Sequence, residues 1–317
     1  MFLRNFVAQL LICVVFEENK HTVRAKSTKN GKVVKSYEKS FEDKKKLLQY
    51  VDNLSQKFQL YYISVFCESP SQGLVPALNS SELSRFGVEK NATTLPLLNA
   101  QIYTSKSVIK EYQKLFEDYG EVDLIYSPFM LLYHCIDKKK ARKDKTILYV
   151  FRHSIYLALM ICEANRILFG KFYDINAHSD KEGEDLENLE NLDEEINFDE
   201  PPQEPIISAE LEGLINEDNN DENLSQDSRA LASSAMNLSH FGSDMDMCSC
   251  IFESVQEFYT NPLYNGKFVD ELVLFDNAEI NQAVFEYIEG EIFIKPEVVK
   301  IDTFALMNEL MRKELNL

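Results

Sequence analysis

The chain has no tryptophan, and only ten glycines, nine prolines and six cysteines in 317 residues. The missing Trp, beside abundant Phe, Tyr, Asn, Lys and Glu, reflects an AT-rich coding bias and says nothing about activity. The cysteines stand at 13, 67, 135, 162, 248 and 250, several of them inside apolar patterns where a thiol acts as a small hydrophobe. That scatter excludes a disulfide framework and indicates a reducing compartment. Cys248-Ser249-Cys250 is the one close pair. A single intervening residue does not match a zinc half-site, and no His/Cys pair follows at a suitable distance, so no metal site is expected. The pair reads as one packed and one exposed thiol at a helix start. Long apolar runs are missing as well. The N-terminal "MFLRNFVAQLLICVVF" is too short to span a bilayer and precedes no small-x-small cleavage site. It fits a buried central strand, apolar on both faces, in a soluble, cytoplasmic protein.

Positive charge is the other shortage, with a formal net charge of −19. The deficit is local. Between Asn176 and Ser228 nineteen Asp and Glu face one Lys, a net of −18, so the rest of the chain is close to neutral. Like charges repel there and little apolar surface can be buried, so 176–246 is expected to be a largely disordered acidic insertion. It serves either as a solvated spacer or as an arm that docks a partner through apolar islands such as "EPIISAELEGLI". The basic run Lys138–Lys145 has no interleaved aromatics, which argues against nucleic acid. No Ser/His/Asp or Cys/His grouping has local support, and no phosphate-loop motif is present. His134 falls in an apolar helix pattern as a core residue, and His21 opens a strand.

The rest is a globular chain, 45% hydrophobic and long enough for two cores. "TILYVFRHSIYLALMICEANRILFGKFYDI" (146–175) reads as three strands joined by turns at Arg152-His153-Ser154 and Asn165-Arg166. The first forty residues make the same meander: Leu10–Phe16, His21–Ser27 and Lys32–Phe41, with turns at Glu17–Lys20 and Thr28–Gly31. After it come a helix with Leu47, Leu48, Val51, Leu54 and Phe58 on one face, and the strand Leu60–Phe66. A loop-rich stretch, Cys67–Thr104, leads to a helix at Ser105–Tyr119, the strand Val122–Tyr126 and a helix after Pro128. The second half repeats this order: a helix over Ser249–Tyr259, the strand Glu271–Asp276, a helix near Glu279–Glu289, a strand in "IFIKPEVVKI" and the helix Asp302–Glu314. Each half is βββαβαβα. The expected organisation is a first half at 1–137 containing the inserted piece 67–104, a charged linker at 138–145, and a second half at 146–175 and 247–317 interrupted by 176–246.

This duplicated α/β unit resembles the actin-like (ribonuclease-H-like) ATPase superfamily, the family of actin, Hsp70 chaperones and sugar kinases. Size and the insertion after the fourth strand look most like the bacterial branch that includes FtsA, PilM and the cytoplasmic domain of GspL. The resemblance spans nearly the whole chain outside 176–246 and rests on element order. Cys67–Thr104 would be a reduced form of that branch's inserted subdomain. The resemblance implies ATP and Mg²⁺ between the halves, with an Asp- and Gly-bearing turn after the first strand of each half and a Gly-rich turn at the adenosine. At those places this chain has Glu17-Glu18-Asn19, Arg152-His153-Ser154 and Asp276-Asn277-Ala278. None contains the Gly that allows close backbone approach to a nucleotide. Arg152 and His153 carry donors that a phosphate would accept, but a short polar turn is also what any meander needs.

The expectation is therefore a scaffold without catalytic residues or a cofactor. It would be an adaptor on the cytoplasmic side of a type II secretion, type IV pilus or competence-like machine, bound to protein subunits of an inner-membrane platform and to the membrane only through them. Leu74, Val75 and Leu78 in "SPSQGLVPALN" are expected as exposed partner-facing residues. Two alternatives stay open: a divergent ATPase or kinase, and an acidic interaction module on an unrelated α/β fold.

Overall fold

The computed structural model describes residues 7–139, 144–175, 224–277 and 282–317. The chain divides into two units, Met1–Ile175 with Met247–Leu317, and Asn176–Asp246. Of the acidic insertion expected to be largely disordered, 176–246, residues 176–223 lie outside the described residues, as do 140–143 of the charged linker, and 224–246 belong to a helix.

The first unit contains two five-stranded sheets of the same design. In one, β1 (Gln9–Phe16), β2 (His21–Lys29) and β3 (Lys32–Phe41) form an antiparallel meander, and β4 (Leu60–Phe66) and β8 (Leu124–Tyr126) add in parallel, giving the order β3-β2-β1-β4-β8. In the other, β9 (Thr146–His153), β10 (Tyr156–Glu163) and β11 (Arg166–Asp174) form the meander. Strands β12 (Glu271–Asp276) and β13 (Pro296–Lys300) add in parallel, giving β11-β10-β9-β12-β13. The helices α1 (Lys44–Ser55), α2 (Lys106–Phe116) and α3 (Pro128–Lys139) belong to the first half, and α4 (Leu224–Thr260), α5 (Gln282–Ile292) and α6 (Thr303–Glu314) to the second. The repeat βββαβαβα is thus present twice, with one strand order, and the reading of an unrelated α/β fold is set aside.

Local chemistry sets most of these elements. Asn30 and Gly31 turn β2 into β3 with φ of 52° and 73°, the left-handed pair that a two-residue hairpin needs and that Asn-Gly supplies with little strain. Asp43 caps α1 by accepting from the Lys46 amide at 2.9 Å, and Ser105 caps α2 from the Ser107 amide at 3.2 Å. All eight residues of β1 and of β9 are buried, because each central strand is covered on both faces. Leu10, Ile12, Val14 and Phe16 face α1 and α2, and Leu11, Cys13 and Val15 face the other way. Leu148 and Val150 likewise lie in the outer core that α4 and α5 complete, whereas Ile147, Tyr149 and Phe151 face inward.

The two inward faces meet in one shared core. Phe129, Leu132, Cys135 and Ile136 of α3 and Leu306, Met307, Leu310 and Met311 of α6 fill it. The packing is reciprocal: α3 of the first half lies on β9 and β10, and α6 of the second half lies on β1 and β4. The helices also touch each other. Glu309 of α6 accepts from His134 at 3.0 Å and from Lys138 at 2.7 Å. Partial burial acts to raise the Glu309 carboxyl, but these two donors hold it below its ordinary value. Asp302 caps α6 through the Phe304 and Ala305 amides and receives Arg24 of β2 at 2.9 Å.

Four expectations are corrected. The loop-rich stretch 67–104 holds a three-stranded sheet, β5 (Gln72–Val75), β7 (Ala100–Thr104) and β6 (Thr93–Leu97), and a 3₁₀ helix at Ser80–Phe86. Leu74 and Val75 are therefore not exposed. They are buried in β5, Leu74 in the shared core and Val75 in a small core with Ala77, Leu83 and Val88, whereas Leu78 is 70% exposed. Cys248 and Cys250 are both buried, because the helix expected from Ser249 begins at Leu224 and carries the pair in mid-helix. Arg152 and His153 are the last residues of β9 and are buried. The turn falls at Ser154-Ile155, where Ser154 takes φ 53°.

The small sheet braces the edge of the second large sheet. The Asn99 amide pairs with the backbone of Ile167 in β11, donating to its carbonyl at 2.8 Å and accepting from its N–H at 2.9 Å. Three residues on, β5 crosses Gly170 so closely that an added Cβ would lie 2.4 Å from Leu74 Cδ2 and 2.8 Å from its carbonyl oxygen. Gly170→Ala should destabilise the protein by about 1–3 kcal/mol, since the clamp at Ile167 keeps the strands from parting. The check is a lower urea midpoint at unchanged slope, and an unchanged midpoint would show that the contact yields freely.

Candidate functional site

Strands β1 and β4 run parallel, so both bring their C-terminal ends to one edge of the first sheet. An open α/β sheet binds ligands at that edge. Phe16 closes β1, and the Glu17 amide donates to the Lys20 carbonyl at 3.1 Å across the turn. Phe66 closes β4 and is followed by Cys67 and Glu68. From the other half β9 delivers His153, whose ring meets the Phe66 ring edge to face at 4.8 Å. Glu17, Glu68 and His153 thus converge where the halves meet.

Each group has a defined environment. His153 is 3% exposed, and its Nδ1 shares a 2.9 Å hydrogen bond with Thr303 Oγ1 at the start of α6. Burial drives its pKa down to about 4, so the imidazole is neutral near pH 7. Its Nε2 lies 3.8 Å from Glu17 Oε1. That is too long for a hydrogen bond, and with a neutral ring it is not an ion pair. Partial burial raises the Glu17 carboxyl, and Lys20 opposes the rise. Glu68 is 9% exposed, and burial, reinforced by the charge of Glu17 and opposed by Lys44, pushes it up to about 9. Its amide donates to the Tyr112 hydroxyl at 3.1 Å. Burial, and then the field of Glu68, raises Tyr156 to about 12.

The other expected positions part company. Glu18, Asn19, Ser154 and Asn277 are exposed, and Ala278 lies outside the described residues. Arg152 is turned along the strand ends toward the buried carboxylate of Asp276, at 3.6 Å. Glu68 and Thr303 join the site without having been singled out from the sequence. The available signal for Glu68 was an acid two residues after a strand of buried apolar residues. Nothing local marks Thr303, which sits 150 residues from the imidazole it contacts. This corner presents two carboxyls and a neutral ring.

This edge, set between two sheets of identical order, is that of an actin-like ATPase fold. Two solved structures carry the comparison. A Bacteroides thetaiotaomicron VPI-5482 protein with an actin-like ATPase fold and unknown function is 9% identical with a TM-score of 0.51, over 96% of this chain and 97% of that one. A chain of the PilM–PilN type IV pilus biogenesis complex is 10% identical with a TM-score of 0.51, over 96% and 94%. Among curated proteins nothing matches. By sequence, residues 148–316 match the model of the family described as Domain of unknown function (DUF8341), and the chain belongs to that family. Residues 6–133 match a second, described as Domain of unknown function (DUF8569).

The Glu68 environment sets a pH dependence. The native carboxyl keeps its proton to about pH 9, while an unfolded Glu releases it near about 4.3. Between those values the native state binds more protons, so this group erodes stability as pH rises through the window and adds nothing further above it. Glu68→Gln removes that slope. The melting temperature of the variant minus that of the parent should climb from about pH 5 to about pH 9, and a constant difference would refute the assignment.

Proposed function

We propose that this protein is a non-catalytic scaffold on the actin-like fold. It would hold a protein subunit of a membrane-bound assembly platform of the type II secretion, type IV pilus or competence-like kind from the cytoplasmic side. The observation that carries the reading is the corner itself. Two carboxyls, Glu17 and Glu68, and a neutral, buried His153 stand where a nucleotide would bring negative phosphates. Without Gly at Glu17–Lys20 or Ser154-Ile155, side chains rather than bare backbone N–H groups line the approach. Structural likeness to a chain of a complex named for PilM and PilN supports a protein partner. Among the described residues no helix is long and apolar enough to cross a membrane.

The halves also need no ligand to hold them together, because α3 and α6 already join them through a shared apolar core. A nucleotide bound at a hundred times its Kd would add about 2.7 kcal/mol and raise the melting temperature by several degrees. Millimolar ATP with Mg²⁺ should leave the melting temperature unchanged and should not be hydrolysed. A shift of several degrees, or a turnover abolished by Glu17→Ala, would install the divergent ATPase in its place.

A further inference from the structure

We propose that Glu17, Glu68 and His153 form a receptor for one cationic side chain, the guanidinium or ammonium group of a partner protein. The inference rests on the scaffold reading and names the chemistry by which its partner is held. The first observation is a pair of orphans. Glu68 Oε1 and His153 Nε2 are both buried and neither has a hydrogen-bond partner. A buried polar atom left unpaired is costly, and these two, contributed by opposite halves, both neighbour Glu17, one at 3.8 Å and one within its field, which indicates a group that completes them. His153 Nε2 faces Glu17 Oε1 across 3.8 Å, a separation that neither side closes. Nδ1 is taken by Thr303 Oγ1, so Nε2 is the ring nitrogen left open, and the carboxyls of Glu17 and Glu68 hold oxygens that accept once ionised.

The second observation is charge. Glu17 and Glu68 lie within each other's field, which by itself disfavours ionising both. Lys44, the cation whose field opposes this, is placed over the Phe16 ring at 5.7 Å. The other charged or titratable groups acting here are Lys20, felt at Glu17, and Glu18, Cys67 and Asp174, felt at Tyr156 and Tyr112; of these only Lys20, exposed on the turn, is positive. An incoming cation would relieve both problems at once. A metal ion fits poorly. Among the described residues no three His, Cys, Asp or Glu gather closely enough to hold one. A guanidinium does fit spread acceptors, because its five N–H donors fan out in a plane and can reach two carboxylates together. The way in is Glu17, whose side chain is 31% exposed, whereas the other two groups are buried behind it.

Occupation has a signature that simple surface attraction lacks. Near neutral pH Glu68 carries a proton, and pairing with a cation expels it. Argininamide serves as the probe, titrated calorimetrically at pH 7.5 in two buffers of different ionisation enthalpy. The parent should bind it with release of about one proton, and its affinity should rise with pH up to about 9. Glu68→Gln should bind about tenfold more weakly or worse and release none, and Glu18→Gln, at an exposed position, should match the parent. Absence of binding, binding without proton release, or equal binding by Glu68→Gln would each overturn the proposal. So would Mg²⁺ or Mn²⁺ binding with the same residue dependence, which would make this a metal site. If Glu68→Gln fails to fold, the pH dependence of the parent decides alone. The two readings fail separately: ATP stabilisation with argininamide binding intact removes only the scaffold, and an inert ATP test without argininamide binding removes only this receptor.

Discussion

The exchange of α3 and α6 between the two sheets is the constraint on which the rest of the structure depends. Each half ends in a helix that covers the other half's central strands, and the two helices meet between the sheets. Neither sheet can bury its inner face without the other half. Leu11, Cys13 and Val15 of β1 and Ile147, Tyr149 and Phe151 of β9 are dry only because of this arrangement. Side chains of this size each contribute about 1.5–3 kcal/mol when fully buried, so the shared core far outweighs any single polar contact across the halves. Glu309 with His134 and Lys138, and Asp302 with Arg24, add direction more than strength, since both pairs are partly exposed.

A fold joined in this way can tolerate unusual chemistry at its ligand edge. Because apolar burial closes the halves, the strand ends are released from binding anything to stay assembled. The same burial then shapes what remains there. It neutralises His153 and holds a proton on Glu68. Arg152 illustrates the reverse case. Its guanidinium lies buried 3.6 Å from the buried carboxylate of Asp276.

The small sheet couples the first half to the far edge of the second. Asn99 mimics a strand neighbour for Ile167, satisfying both backbone groups at a point where the β10–β11 pairing shifts register near Ile161 and Cys162. Gly170 lets β5 come within side-chain distance of β11, and Leu74 uses that space to enter the shared core. An edge strand that would otherwise invite pairing is thereby covered.

Much of this was legible in residue order alone. Two runs apolar on both faces, Leu10–Phe16 and Ile147–Phe151, each followed by two further strands, announced a central strand and its meander. Asn30-Gly31 marked a hairpin, and the spacing of Leu47, Leu48, Val51 and Leu54 marked a helix. These are local periodicities, readable because a strand alternates every second residue and a helix every three or four. The duplication followed from their repetition. What the sequence did not determine by itself depends on partners far along the chain. Arg152 looked like a turn residue until Asp276 gave its charge a place inside. Leu74 looked exposed until Gly170 opened room for it. Glu68 became a protonated acid only when burial and Glu17 acted on it together, and Thr303 mattered only once α6 reached His153. Burial and charge at such positions are properties of non-local contact, and only the tertiary structure decides them.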